Sequence, residues 1–209
     1  MWKRWRVFHS SESSWGIEPP AFHGLTMELR PWKVLHSETV YSSAPYLCVH
    51  AHTVELPDGR IAEPYFRIDL RAFTVIAAVS ADNEIIVGRQ YRHGIERITL
   101  LLPGGLLEEG EDPLDAAKRE LLEETGYASN EWESLGRFVP NSNYRCGETH
   151  LFLARSAKKV AVADAGDLEE TELLLMPLAD MRRELRNGNV VSLSSAAAIS
   201  LAAARLQGH

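Results

Sequence analysis

The stretch "PGGLLEEGEDPLDAAKRELLEETGY", residues 103–127, concentrates an unusual amount of like charge directly behind two adjacent glycines. Only two basic residues, Lys118 and Arg119, accompany its acids. The acidic residues are Glu108, Glu109, Glu111, Asp112, Asp115, Glu120, Glu123 and Glu124. Such crowding calls for a structural or chemical reason, and the spacing of these residues indicates which.

A short amphipathic helix is predicted within this stretch. Asp112 and Pro113 are typical of a first helical turn, and Gly126 is a favourable residue for ending a helix. Apolar residues recur between these limits at the spacing of one helical face, namely Leu114, Ala117 and Leu121. The carboxylates therefore lie on a loop and on the helix that follows it.

Three of the helical carboxylates share one face. At about 100° per residue, Glu124 lies about 40° from Glu120 and Glu123 about 60° to the other side, opposite the apolar stripe. Like charges four residues apart cost a helix only about 0.2–0.5 kcal/mol, so an ordinary solvated face would tolerate them. The alternative is a cation site, because Mg²⁺ typically takes one or two protein carboxylates together with substrate phosphates and water.

The full spacing of the stretch favours the cation site. It resembles the Nudix hydrolase box, G-x5-E-x7-R-E-U-x-E-E-x-G-U, in which U is aliphatic. All of the box's fixed identities are present, at Gly105, Glu111, Arg119, Glu120, Glu123, Glu124 and Gly126. Tyr127 departs from the last aliphatic position, which is a packing position rather than a chemical one.

The resemblance implies both a fold and a metal site. The fold would be the Nudix α/β/α sandwich with a mixed β-sheet, and the box would hold Mg²⁺ or Mn²⁺, two or more ions per site, against a diphosphate. The principal metal ligands would be Glu120 and Glu124, with the backbone carbonyl of Gly104. Glu123 would be a further ligand or would orient water. Arg119 would orient the glutamates, and Glu111 would support the loop or contact an outer metal.

The flanking sequence resembles one branch of that family. The segments "IIVGRQYRHG" and "LLLPGG", together with "WKVLHSETVY" and "LPDGR" before them, are similar to ADP-ribose and nucleoside-diphosphate-sugar pyrophosphatases. By this resemblance Arg92 would reach the substrate diphosphate, the alternative being a surface arginine at a strand edge. Pro140 would be the branch's proline after the box. Asn141 follows Pro140 where the branch commonly has glycine, which leaves the sugar open.

Two further positions are candidates for the site. Glu148 is the only acid in the loop after Pro140, and it could be the general base or a metal ligand, or a solvated glutamate at the start of a strand. Tyr65 and Trp32 could stack on a nucleobase, although aromatic residues in a β-meander more often belong to the core. His93 is expected to be a surface or packing residue, because hard Mg²⁺ does not seek imidazole.

The rest of the chain reads as one mixed α/β protein. Residues 1–26 are interpreted as an extension, residues 27–71 as an N-terminal antiparallel β-meander, and residues 72–209 as the catalytic domain. Hairpins are predicted around Pro57-Asp58-Gly59 and Asp82-Asn83, strands over "ITLLLPGG", "WESLGRFV", "THLFLA" and "TELLLMPL", and helices at 178–186 and 192–206.

Composition limits the partners. With 209 residues and a net charge of −7, the chain offers no general attraction for nucleic acid or an anionic membrane. It has no apolar run near the ~18 residues of a membrane span and no secretory signal, so a cytoplasmic protein is expected. Cys48 and Cys146 are expected to be two buried free thiols, and the N-terminal section is expected to form a homodimer, as in the resembling branch.

The predicted activity is metal-dependent hydrolysis of the diphosphate bond of ADP-ribose or a related nucleoside diphosphate sugar. One alternative is a pyrophosphatase of the same fold that acts on nucleoside triphosphates or capped RNA ends. The acidic balance of the chain disfavours long RNA substrates, and the N-terminal meander is extra to a minimal triphosphatase. The other is a sensor that binds ADP-ribose without cleaving it. A sensor would more often have lost Glu123 or Glu124, and both are present.

Overall fold

The N-terminal part of the protein is a three-stranded antiparallel sheet. The structure, a computed structural model, describes residues 29–164 and 170–207, so the predicted extension over residues 1–26 lies outside the described residues. The strands, in the order β1-β2-β3, are β1 (Lys33–Ser43), β2 (Leu47–Glu55) and β3 (Ile61–Leu70). The predicted hairpin over residues 46–70 and the meander are confirmed, and β1 adds a strand whose length the sequence did not define.

A seven-stranded mixed sheet forms the larger part of the protein. Its strands are β4 (Phe73–Ser80), β5 (Glu84–Arg92), β6 (Arg97–Leu101), β7 (Tyr127–Ala128), β8 (Glu131–Phe138), β9 (Thr149–Lys159) and β10 (Thr171–Pro177). The order along the sheet is β10-β5-β4-β9-β7, with β6 paired to β5 and β8 paired to β9. Only β4 and β9 run parallel among the described pairs, so the sheet is mixed as expected.

Three helices cover this sheet on its two faces. They are α1 (Pro113–Thr125), α2 (Leu178–Arg186) and α3 (Leu193–Gln207), all within one residue of the predicted bounds. The helix α1 packs on one face, where Ala117 and Leu121 meet Ile76 and Phe152. Residues of α2 and α3 pack on the opposite face, against Val75, Ala77, Leu151 and Leu153. The result is the expected α/β/α sandwich.

Alternation along the central strands explains this layering. Successive side chains of a strand point to opposite faces, and in β4 the odd residues from Val75 to Val79 join the core under α3 while Ile76 and Ala78 join the core under α1. Because both faces are covered, β4 is apolar along most of its length instead of alternating with polar residues.

The chain divides into two compact units. Among the described residues, one unit comprises residues 29–70 together with Asn143–Cys146, and the other comprises the sheet and helices that follow residue 70. Both cysteines are free but only half-buried, so their expected full burial is wrong. No helix in the described part of the chain is long and apolar enough to cross a membrane.

Candidate active site

The helix α1 begins and ends at residues that fix its register. The Asp112 side chain caps it by accepting hydrogen bonds from the backbone amides of Leu114 (2.9 Å) and Asp115 (3.4 Å). At the other end Gly126 has φ 69° and donates its amide to the Leu122 carbonyl at 2.8 Å. The capping residues therefore determine which way each side chain of the helix points.

The two sides of α1 differ in chemistry. Ala117 and Leu121 are completely buried in the core. On the opposite side the Glu120 side chain is only 14% exposed, whereas the Glu123 side chain is 46% exposed. The three glutamates on the predicted arc thus differ in their access to water, and Glu120 lies deeper than Glu123.

Arg119 holds the acidic residues of this region in place. Its guanidinium makes a two-pronged pair with the Glu111 carboxylate, with Nε and Nη2 each 2.9 Å from an oxygen. It also donates to Glu120 at 2.7 Å, to Glu123 at 3.1 Å and to the Leu106 carbonyl at 3.2 Å. The spacing of the helix predicted the contact with Glu123, but the hydrogen bond to Glu120 is shorter and the pair with Glu111 is the most complete.

The electrostatic effect of this pairing is large. Hydrogen bonding from Arg119, followed by the backbone amide of Glu108, lowers the pKa of Glu111 to about 2. The same contact with Glu111 raises the pKa of Arg119 above its ordinary value. Glu111 is therefore ionised at any neutral pH, and its charge is used to hold the loop, which agrees with the supporting role that the sequence suggested.

The two glycines before the loop lie against the carboxylates. The Gly104 amide donates to Glu124 Oε2 at 2.8 Å. A β-carbon on Gly105 would lie 2.4 Å from the Glu120 carboxylate, and a β-carbon on Gly104 would lie 2.1 Å from the Thr74 carbonyl oxygen. Only glycine allows the backbone to approach both the helix and β4 this closely.

The backbone carbonyls around Gly104 are directed away from the helix. The Pro103 carbonyl accepts from the Ile76 amide at 2.8 Å, and the Gly105 carbonyl accepts from the Thr74 amide at 2.9 Å. The Gly104 amide, by contrast, faces Glu124. The proposed role of the Gly104 carbonyl as a metal ligand stays a prediction.

These residues fit a divalent cation of the Mg²⁺ type. Carboxylate and carbonyl oxygens are the hard ligands that Mg²⁺ and Mn²⁺ prefer. Within residues 29–164 and 170–207, no group of three or more His, Cys, Asp or Glu side chains is placed so that it could hold a metal ion. A partial shell that substrate phosphates and water complete is the arrangement typical of Mg²⁺.

Glu148 lies close to a basic side chain that the sequence did not indicate. Its carboxylate is 3.6 Å from Arg137 Nη1 and is 20% exposed, while its backbone carbonyl accepts from the Phe73 amide at 3.0 Å. His150 lies two residues further along, on β9; burial lowers its pKa, and the nearby charge of Glu148 opposes this shift. The antiparallel pairing of β8 with β9 brings Arg137 close to Glu148, and no local sequence motif predicts that pairing.

The remaining candidates occupy separate places. Arg92 ends β5 and Pro140 follows β8, and both are half-buried. Tyr65 lies on β3 in the N-terminal unit, where its ring meets Trp32 edge to face at 5.7 Å between centroids. His93 is exposed, as expected for a surface residue. The structure thus joins Glu120, Glu123 and Arg119 by direct contacts and places Tyr65 in the other unit.

Comparison with known proteins gives a consistent result along the chain. The family model described as "NUDIX domain" matches residues 70–193, and the model "Nucleoside diphosphate sugar hydrolase N-terminal domain" matches residues 32–68. The chain is similar to a "Methanol dehydrogenase activator" of Bacillus methanolicus, with 32% identity over 142 residues, 68% of this chain and 75% of that protein.

Two further similarities cover more of the chain. An "ADP-ribose pyrophosphatase" of Bacillus subtilis (strain 168) is 29% identical over 168 residues, which is 80% of this chain and 90% of the relative. A solved structure described as "Crystal structure of ADP compounds hydrolase" superposes with a TM-score of 0.77 at 25% identity, and the match covers 88% of this chain and 98% of that one.

Proposed function

The chain belongs to the Nudix family and is a hydrolase, and from this premise we propose that it cleaves the diphosphate bond of ADP-ribose or a related nucleoside diphosphate sugar. The products would be a nucleoside monophosphate and a sugar phosphate, which for ADP-ribose are AMP and ribose 5-phosphate. The observation that carries the proposal is the cluster that Arg119 organises beside Gly104 and Gly105.

The cluster supplies the cation site in this proposal. Glu120 and Glu124, with Glu123 and the Gly104 carbonyl, would hold Mg²⁺ or Mn²⁺, and Arg119 would keep the glutamates in one orientation. A divalent cation bound there would lower the pKa of water, screen the diphosphate charge and align the attacking and leaving oxygens. Two or more such ions per site are expected from the family.

The remaining roles fall to residues outside the box. Glu148 would accept the proton of the attacking water, while the phosphorus–oxygen bond of the anhydride breaks and the leaving phosphate takes the electron pair. Arg92, the last residue of β5, would bind the diphosphate, as the resemblance of the "IIVGRQYRHG" segment implies. Pro140 would shape the loop that approaches the substrate, and Tyr65 would stack on the nucleobase.

The match of residues 32–68 supports the choice of substrate class. That segment is similar to the N-terminal domain of nucleoside diphosphate sugar hydrolases, and it forms a sheet of its own. The relative from Bacillus subtilis is named for its action on ADP-ribose. A minimal nucleoside triphosphatase of the same family would not need this additional sheet.

The experiment is a substrate panel with a matched pair of variants. The purified protein is assayed with Mg²⁺ or Mn²⁺ on ADP-ribose, ADP-glucose, GDP-mannose, UDP-glucose, NADH and nucleoside triphosphates, with release of monophosphate as the readout. Glu124→Gln removes a proposed ligand. Asp115→Asn is the control, because Asp115 lies on the same helix but pairs only with the exposed Lys118 among the contacts described.

We expect selective hydrolysis of a diphosphate sugar that Glu124→Gln reduces by about a hundredfold or more and Asp115→Asn leaves within about twofold. Preference for triphosphates would instead favour the alternative activity. Binding of ADP-ribose without turnover in any metal would favour the sensor.

We also propose that the protein forms a homodimer through its N-terminal section. It would act in the cytoplasm on small molecules, without nucleic acid or membrane partners. The three-stranded sheet leaves the long strand β1 exposed over most of its residues, which suits pairing with a second copy. Sedimentation should give twice the chain mass of 23.4 kDa. A mass of one chain at micromolar concentration would contradict this.

A further inference from the structure

The loop of residues 106–112, hereafter the 106–112 loop, runs along the beginning of β4 before α1 starts. The Leu107 amide donates to the Ala72 carbonyl at 3.0 Å. Leu106 forms an antiparallel β-bridge with Phe73. All of these residues belong to the unit that contains α1. The loop is therefore attached by its first residues to the strand beside it, within a single unit of the protein.

Arg71 adds a side-chain contact at the same place. It immediately precedes Ala72, is half-buried, and donates a hydrogen bond from Nη2 to the Leu107 carbonyl. Two neighbouring residues thereby bind both backbone polar groups of Leu107, which is itself half-buried. A carbonyl that loses its partner in such a place loses a hydrogen bond that water replaces only in part. Arg71 therefore determines where the loop lies as well as how firmly it is held.

A second arginine holds the next carbonyl of the same loop. Arg119 Nη2, on α1, donates to the Leu106 carbonyl at 3.2 Å. The same guanidinium forms the two-pronged pair with Glu111 near the end of the loop. Two successive carbonyls are thus bound by guanidinium groups that come from separate elements. The loop is fixed between β4 on one side and α1 on the other.

Arg119 also connects the loop to the proposed cation ligands. It donates to Glu120 at 2.7 Å and to Glu123 at 3.1 Å. Its own position depends on Glu111, whose side chain is only 16% exposed. A displacement of the loop would therefore move the Glu111 carboxylate and, through Arg119, the glutamates of the helix.

The charge of Arg71 reaches the same group. The hydrogen bonds from Arg119 and from the Glu108 amide have the largest effects in lowering the pKa of Glu111, and the nearby charge of Arg71 lowers it further. Glu111 therefore lies within the field of both arginines. This agrees with the geometry, in which the two guanidinium groups bind one short loop.

We propose that Arg71 is a positioning residue: it holds the 106–112 loop against β4, so that Arg119 keeps the helical glutamates in one arrangement. The inference rests on the proposed function, because those glutamates are the proposed cation ligands. Partners of this outer kind orient the groups that bind a metal directly. The role of Arg71 is exerted through the loop and not by contact with the substrate.

The test compares two substitutions of Arg71 with a matched arginine elsewhere in the same unit. Arg71→Gln removes the charge and shortens the side chain, whereas Arg71→Lys keeps the charge and a donor. Arg183→Gln is the control, because Arg183 is an exposed residue of α2 that pairs with Asp180 and has no described contact with the 106–112 loop. For each protein, kcat and KM are measured on the preferred substrate of the panel, and amide hydrogen exchange is measured over the loop.

A positioning role predicts a loss in the chemical step. Loss of an outer partner of a metal site typically costs about tenfold to a hundredfold, so Arg71→Gln should lower kcat by about tenfold. KM should stay within about threefold, because the contacts with the substrate remain. The Leu107 amide should exchange faster in this variant, and Arg183→Gln should match the wild type in all three measurements.

A double variant distinguishes one shared loop from two independent effects. Glu111→Gln weakens the contact of the same loop with Arg119. Adding Arg71→Gln to it should therefore lower kcat by little more than Glu111→Gln alone. Losses that multiply would overturn the proposal. A raised KM with an unchanged kcat would also overturn it, since Arg71 would then contact the substrate, and so would faster exchange with an unchanged kcat.

Arg71→Lys keeps the test decisive if Arg71→Gln does not fold. Lysine does not reproduce the planar fork of arginine, so it should bind the Leu107 carbonyl less well and lower kcat by about threefold. A wild-type kcat in Arg71→Lys would then overturn the proposal.

Failure of the positioning role differs visibly from failure of the proposed function. A wild-type protein that hydrolyses no member of the panel would overturn the proposed function and the role of Arg71 with it. A wild-type protein that hydrolyses a diphosphate sugar at the same kcat as Arg71→Gln would overturn the role of Arg71 alone.

Discussion

The left-handed backbone conformation occurs at the end of α1 and again in the turn formed by residues Asn143–Cys146, called the 143–146 turn, and the two regions achieve it differently. At the end of α1 the residue is Gly126, for which the conformation is free of side-chain strain. In the turn the residues are Arg145 and Cys146, and contacts with Ile68 and Asp69 hold them. The helix therefore carries its geometry in its own sequence, whereas the turn depends on residues about 75 positions away.

The difference teaches where sequence reasoning succeeds. Around α1, the charged groups that fix one another lie within the same 25-residue stretch, as with the Arg119–Glu111 pair. The spacing of the residues in such a stretch can therefore indicate the geometry. In the turn, no sequence spacing predicts the salt bridge between Arg145 and Asp69, because it depends on how the strands assemble.

The largest effect is expected at Gly105, where the backbone leaves no room for a side chain. Gly105→Ala places a methyl group 2.4 Å from the Glu120 carboxylate, which must move because it is the flexible partner. We expect hydrolysis to fall by about a hundredfold, since small displacements of a ligand are costly, while the unfolding midpoint in urea changes little.

Gly110→Ala is the control for Gly105→Ala. Gly110 lies in the same loop and has nothing within 4 Å of an added β-carbon, although its φ is 78°. Alanine there should cost about 1 kcal/mol of stability and retain activity. Equal losses of activity in the two variants would show that the loop backbone, and not the approach to Glu120, is what the alanine disturbs.

Arg119→Lys should give the next largest effect. Lysine cannot reproduce the two-pronged contact with Glu111 together with the bonds to Glu120 and Glu123, so activity should fall by about tenfold to a hundredfold. Lys118→Arg, an exposed neighbour on the same helix, serves as the control. Steady-state hydrolysis of the preferred substrate measures both, and a decline below threefold in Arg119→Lys would contradict the organising role of Arg119.

The same variant should also change the pH dependence of stability. The pKa of Glu111 is about 2 in the folded protein against an ordinary value of 4.5, so its ionised form stabilises the fold above pH 4.5 and this contribution is lost as the pH falls toward 2. The free energies of unfolding of wild type and Arg119→Lys should therefore converge between pH 4.5 and 2. Urea titrations across this range test it, and a constant difference would contradict it.

Gly126→Ala tests the helix end by stability alone. The added methyl group would lie 2.2 Å from the Ala161 carbonyl oxygen, and φ is 69°. Left-handed strain and the clash together should cost about 2–4 kcal/mol. At Gly188, where φ is 75° and an added β-carbon meets nothing within 4 Å, alanine should cost only about 1 kcal/mol. Thermal unfolding of both variants measures the two losses of stability. Equal losses would show that the close approach to Ala161 does not contribute.

The smallest effect is expected in the turn. Cys146→Gly relieves left-handed strain but adds flexibility to the unfolded chain, so the free energy of unfolding should change by less than about 1 kcal/mol in either direction. Chemical denaturation measures it. A loss as large as that of Gly126→Ala would mean that the Cys146 side chain itself, and not the backbone contacts with Ile68, holds the turn.

Much of the fold was predictable because its signals are local. The hairpin turns, the bounds of α1 and the two C-terminal helices follow from glycine, proline and apolar spacing, and the structure confirms them. The strand β1 was not delimited, since nearly all of its residues are exposed and no apolar alternation marks it. The strand β7 has only two residues, too few for any periodicity.

The candidate site was predictable to a similar extent. Motif spacing identified Glu120, Glu123 and Arg119, whose mutual contacts the structure shows. The roles given to Glu148, Arg92, Pro140 and Tyr65 stay predictions. Arg137 beside Glu148 and Asp69 beside Arg145 could not be found from the sequence, because both depend on contacts between distant strands or turns.

The most direct test of the central claim is the affinity for Mn²⁺, measured by calorimetry in the presence of α,β-methylene ADP-ribose. This analogue cannot be hydrolysed at its bridging carbon. The claim is that the carboxylates of α1 hold the cation. Glu124→Gln should weaken Mn²⁺ binding by about tenfold or more, and Asp115→Asn should leave it unchanged. Equal Mn²⁺ affinity in the wild type and Glu124→Gln would contradict the account, because the cation would then be held elsewhere.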